Sequence, residues 1–145
     1  MSRDFAEMLS ALSEAGAEFL IVGAHALAAH GRPRATGDLD IWVRATPENA
    51  ERVWSALATF GAPLHDLSLA DLASPGIVFQ MGLPPRRIDI LTELTGLTFA
   101  EAWAGRVRRA FGPVEADFIG REGLILNKRA TARPQDLVDL ADLGD

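Results

Sequence analysis

Asp38 and Asp40 stand two residues apart in the run Gly37-Asp38-Leu39-Asp40-Ile41-Trp42-Val43, and Asp89 lies between two isoleucines in Arg87-Ile88-Asp89-Ile90-Leu91. Residues two apart in a strand leave the same face, roughly 7 Å from each other along the chain. Two carboxylates so placed repel one another, and the Asp38–Asp40 run itself supplies no cation. A hard divalent cation is the matching counter-charge, and Mg²⁺ favours carboxylates completed by water and substrate phosphates. Aspartate suits strands poorly and is costly when buried unpaired, so Asp89 is expected on the polar side of its strand. Were the two strands neighbours, three carboxylates would converge, a set suited to one or two metal ions and to in-line displacement at phosphorus. The plainer alternatives are a Gly-Asp turn at 37–38 and a D-x-D arising by chance.

Other candidates surround this set. Gly23 closes the apolar run Phe19-Leu20-Ile21-Val22 and leads into Ala24-His25. A small-residue turn at the start of a helix lets backbone N–H groups approach phosphate oxygens, although such joints are usually structural. Arg34 and Thr36 lead into the aspartate run, where a loop arginine and a threonine at the start of a strand are equally good readings. Lys128 is the only lysine among 14 cations. It shares a helix face with Leu124 and Ile125, so its stem is expected to point inward, as a snorkelling side chain also would. Arg133 and Asp136 are expected to pair and fix the last helix. His30 is expected to be a structural residue at a helix end, and Arg106, Arg108 and Arg109 a solvated basic face.

These residues need elements to hold them. Phe5, Met8, Leu9 and Leu12 recur at helical spacing before Gly16, predicting a helix over 4–15. Strands are predicted at 19–22 and 38–43, with a short helix over 24–30 between them. Thr46-Pro47-Glu48 reads as a helix start: a capping hydroxyl, proline in the first turn and an acid near the positive dipole end. The segment 61–76 reads as loop with one short helix. Strands at 77–81 and 87–91 are joined through Gly82-Leu83-Pro84-Pro85, a connection too short for a helical crossover, so a purely parallel sheet is disfavoured. A helix over 98–105, short strands at 107–111 and 114–119, and helices over 120–131 and 134–143 complete the pattern. The expected fold is α/β to α+β, a mixed sheet with flanking helices, in one domain spanning 1–145.

Composition narrows the function. With 48% hydrophobic and 23% charged residues the chain has globular values. It has no cysteine, so thiolate metal sites and disulfides are excluded. A net charge of −6 disfavours non-specific coating of nucleic acid, which requires many phosphates to be neutralised. No apolar run reaches the ~20 residues of a membrane span, and no signal-like segment opens the chain, so no membrane partner and a cytoplasmic location are expected.

The stretches Ile21-Val22-Gly23-Ala24-His25 and His30-Gly31-Arg32-Pro33-Arg34-Ala35-Thr36-Gly37-Asp38-Leu39-Asp40-Ile41 together resemble the signature of the DNA polymerase β-like nucleotidyltransferase superfamily. In that family a Gly-Gly or Gly-Ser turn precedes an Asp-x-Asp strand, and a third Asp follows on a later strand. The likeness is to small bacterial members: minimal, lincosamide-type and abortive-infection toxin-like nucleotidyltransferases. A further stretch, Lys128 to Leu137, resembles the K-x-x-x-x-R-x-x-D-L segment of the same members. The chain departs from the family at Ala24, where Gly or Ser is usual and a serine hydroxyl would contact phosphate.

The resemblance implies transfer of a nucleoside monophosphate from an NTP to an acceptor hydroxyl. It implies two Mg²⁺ ions (Mn²⁺ as a substitute) held by Asp38, Asp40 and Asp89, with Asp89 as a candidate proton acceptor. Gly23, Ala24, His25, Arg34, Thr36 and Lys128 would then contact the nucleotide. The acceptor would be a protein, a tRNA end or a small molecule, presented by a homodimer mate or a protein partner. Two alternatives stay open: a catalytically silent nucleotide- or partner-binding module of a toxin–antitoxin type pair, and a D-x-D metal hydrolase.

Overall fold

The computed structural model describes residues 3–31 and 37–144. Its elements, in chain order, are α1 (Arg3–Glu14), β1 (Phe19–Val22), α2 (Gly23–Ala29), β2 (Leu39–Val43), α3 (Pro47–Phe60), α4 (Leu69–Leu72), β3 (Val78–Met81), β4 (Ile88–Leu91), α5 (Phe99–Ala104), β5 (Val107–Phe111), β6 (Val114–Phe118), α6 (Arg121–Thr131) and α7 (Pro134–Asp142). The strands form one mixed sheet in the order β3-β4-β2-β1-β6-β5, flanked by helices. The two outer pairs, β3–β4 and β5–β6, are antiparallel hairpins, as the short connections require. Inside them β4 runs parallel to β2 and β6 parallel to β1, while β1 and β2 are antiparallel. The predicted mixed sheet is therefore found, with element bounds within about two residues.

The helix signals act as expected. Thr46 caps α3 by accepting from the Asn49 amide at 3.3 Å, Pro47 opens it, and Gly61 ends it in the left-handed region at φ 91°. Asn49 is buried and fastens the far end of the β1–β2 pair. Its amide accepts from Glu18 N at 2.7 Å and donates to the Glu18 and Arg44 carbonyls at 3.0 and 2.9 Å. Core residues alternate along β2: Leu39, Ile41 and Val43 are fully buried on one face. Trp42, on the face of the aspartates, is buried as well, whereas Trp54 on α3 is half-buried. Among the described residues no helix is long and apolar enough to cross a membrane.

Candidate functional site

The central strands deliver their aspartates to one point. Asp40 is in register with Asp89 across the parallel β2–β4 pair, and with Val22 across β1–β2. Asp38 lies one residue ahead of β2 rather than inside it. Its Oδ1 accepts from the Arg87 backbone N–H at 3.0 Å, while Leu39 N donates to the Arg87 carbonyl at 2.9 Å. The strand neighbourhood that the three-carboxylate set requires is thus present.

Gly23 closes the other side. Its φ is +69°, and a Cβ there would collide with Asp40 Oδ2, so both backbone conformation and space call for glycine. Ala24 and His25 form the first turn of α2, which no side chain caps. His25 Nε2 lies 3.1 Å from the Gly37 carbonyl. A carbonyl only accepts, so Nε2 is the donor, and the bond ties the start of α2 to the residue before Asp38.

The charges are unevenly settled. Burial pushes the Asp40 carboxyl up to about 6, and Asp89 and then Asp38 push in the same direction, with Arg87 opposing. Asp89 is buried between the fully buried Ile88 and Ile90. Its oxygens accept from Arg87 Nε at 2.8 Å and Nη2 at 3.1 Å, and the same Nη2 lies 3.3 Å from Asp38 Oδ2. The expectation that the aspartates lack a nearby cation is therefore corrected. Arg87 was the missed residue, and its signal was the Arg-x-Asp alternation, which puts Arg87 and Asp89 on one face of β4.

Three carboxylates, one of them strongly desolvated, are a donor set of the chemistry that Mg²⁺ takes. With Arg87 reaching between them, no three imidazole or acidic groups among the described residues form a ready-made metal cage.

Lys128 is placed elsewhere. Its Nζ is 3.3 Å from Asp136 Oδ1 and 3.0 Å from Asp139 Oδ2, and its side chain is 10% exposed. The inward-pointing stem is as expected, but the ammonium meets these two buried carboxylates rather than the Asp38–Asp40–Asp89 set. The expected Arg133–Asp136 pair is present at 2.8 Å. With that bond first, and help from Thr131 and Lys128, the Asp136 carboxyl is held well below the usual range. His30, at the end of α2, donates from Nε2 to the Ile119 carbonyl at 2.9 Å, a structural contact as expected. Of the basic face, Arg108 pairs with Glu115 and Asp117, and Arg106 lies over the Trp103 ring at 3.9 Å. Arg34 and Thr36 lie outside the described residues.

No family model matches the chain, and no curated protein matches it.

Proposed function

We propose that this chain is a nucleotidyltransferase-like fold that moves a nucleoside monophosphate from an NTP to an acceptor hydroxyl with the help of Mg²⁺. The observation that carries the proposal is the register of Asp40 with Asp89, beside Asp38 and against a glycine turn that has no room for a side chain. Asp38, Asp40 and Asp89 would hold the metal, which when bound supplies positive charge for the α-phosphate and the departing pyrophosphate. In the transfer, the acceptor oxygen forms a bond to the α-phosphorus. The bond from that phosphorus to the bridging oxygen breaks, and pyrophosphate leaves with the electron pair. The acceptor proton passes to a carboxylate of the cluster. Asp89 accepts from Arg87 on both oxygens, so a metal ion or an acceptor proton would compete with that guanidinium there. The phosphates of an NTP offer Arg87 an equivalent bidentate partner.

The Arg87 clasp equally favours a second reading, a nucleotide- or partner-binding module whose carboxylates are closed by their own cation. One experiment separates these readings. The purified chain is incubated with each labelled NTP, Mg²⁺ and cell extract, beside Asp40→Asn. Label on an acceptor with the parent chain and none with Asp40→Asn is the expected result. Label that persists in Asp40→Asn sinks the proposal, release of phosphate alone assigns hydrolysis, and nucleotide binding without turnover assigns the silent module.

A further inference from the structure

A cavity of about 980 Å³ opens beside the aspartates, between α1, the face of α2, the Pro85–Arg86 turn and the β5–β6 hairpin. It adjoins the site just described: His25 and Gly37, bonded to each other, form part of its wall. Its wall is aromatic. The His25 ring meets Phe5 edge-on at 5.7 Å and Phe111 at 5.1 Å, and Phe118 lies behind Phe111 at 6.1 Å. Phe5 and Phe118 are buried, so the half-buried Phe111 and His25 present the surface that a ligand would touch. Two cations, Arg3 and Arg86, stand at its rim with Asp4. Arg3 is engaged by Glu7 at 2.8 Å, while exposed Arg86 has no acidic partner among the described residues.

We propose that this cavity binds a mononucleotide unit, its planar base against Phe111 and His25 and its phosphate toward Arg86. The inference rests on the nucleotidyltransferase reading for its place in the reaction. Aromatic faces accept any base by stacking, and Arg86, with no acidic partner among the described residues, favours an anionic group next to the ring. In a chain of net charge −6, Arg3 and Arg86 line this cavity with Asp4, so its described acidic and basic residues do not share the overall negative balance. The unit has two sources of the same chemistry, the donor triphosphate and the terminal nucleotide of a nucleic-acid acceptor.

The test uses the intact chain in EDTA, where carboxylate-bound metal contributes nothing. Binding of the four ribonucleoside 5′-monophosphates is compared with that of ribose 5-phosphate by calorimetry. At least one nucleotide is expected to bind ten-fold or more tightly than ribose 5-phosphate. Phe111→Ala is expected to lose about ten-fold, the scale of one base–aromatic stack. Arg86→Gln, at an exposed turn position where folding is not at risk, is expected to weaken nucleotide and sugar phosphate alike. Equal binding of ribose 5-phosphate and nucleotides, or unchanged affinity in both Phe111→Ala and Arg86→Gln, overturns the inference. With Mg²⁺ and a non-hydrolysable NTP analogue added, displacement of the monophosphate identifies the donor as the occupant, and simultaneous binding identifies the acceptor. Asp40→Asn separates the two proposals: nucleotide binding in EDTA must survive it while transfer is lost. Cavity binding without transfer in the parent chain removes the enzyme and keeps the cavity, and transfer without cavity binding does the reverse.

Discussion

Among the described residues, the acidic clusters around Asp136 and around Asp40 are built on opposite terms. Around Asp136 and Asp139, Lys128 and Arg133 supply cations, Thr131 adds a hydroxyl bond at 2.6 Å, and the Asp136 carboxyl is held well below its usual range. Around Asp40, three carboxylates share one guanidinium, and the central one is pushed up to about 6. The first cluster is electrically satisfied and joins α6 to α7. The second is left short of positive charge at the point where the glycine turn comes closest. A fold keeps an arrangement of the second kind at a cost in stability, and a ligand carrying the missing charge relieves it.

Mutation can break this contrast. The largest stability effect is expected for Asp136→Ala, which takes from buried Lys128 one of its two carboxylates and removes the acceptor of the Thr131 hydroxyl and the Arg133 backbone N–H. A loss of about 3 kcal/mol in urea unfolding is the scale for removing one partner of a buried ion pair, and a loss indistinguishable from zero would undo the description of a satisfied cluster. Gly23→Ala is expected next, at about 1–2 kcal/mol for the left-handed backbone alone. It should also displace Asp40, so metal-dependent transfer falls further than stability does.

Asp40→Asn should move stability the other way. A carboxyl with a raised folded pKa contributes stability below its ordinary 3.8 and loses it as pH rises through about 6. In metal-free buffer at pH 7 the asparagine variant is therefore expected to be more stable, by about 1 kcal/mol once partial solvent exposure is allowed for. Between pH 4 and 6 the parent should lose stability that the variant does not. Asp136 has the opposite sign: its contribution is present above the ordinary carboxylate range and lost as pH falls below it. The smallest effect sharpens the comparison. Millimolar Mg²⁺ should raise the Tm of the parent at pH 7 by a degree or two and leave Asp40→Asn unmoved, as binding to the native state alone requires.

What the sequence revealed follows the range of the forces involved. Gly23, Asp40 and the helix starts at Thr46 and Thr98 are local signals of turn, period and cap, and the structure has them where expected, while Asp38 lies one residue ahead of the strand predicted to include it. Asp89 could be singled out by its isoleucines, but its meeting with Asp40 depends on strand register. Arg87 carried a local signal in its alternation with Asp89, but its contact with Asp38 depends on the same register. The last helix is legible in part: the Arg133–Asp136 pair is expected and present, but that Asp136 and Asp139 are 1% exposed while Leu137 and Val138 are more than half exposed is not. Pairing with Lys128 sets that orientation, and a partner eight residues away across the left-handed Ala132 turn has no signature in hydrophobic pattern. The cavity at Phe111 is equally silent in sequence, because it is a space between elements distant along the chain.

The clasp between Arg87 and Asp38 joins residues 49 apart, and β2 and β4 can pair only after α3, α4 and β3 have been made and folded back. Contacts of such separation form slowly and late. During synthesis the aspartate pair Asp38 and Asp40 therefore emerges well before its third member. A nascent chain carries two mutually repelling carboxylates without Asp89 or Arg87 until β4 has left the ribosome, so the full cluster is absent from the growing chain until then.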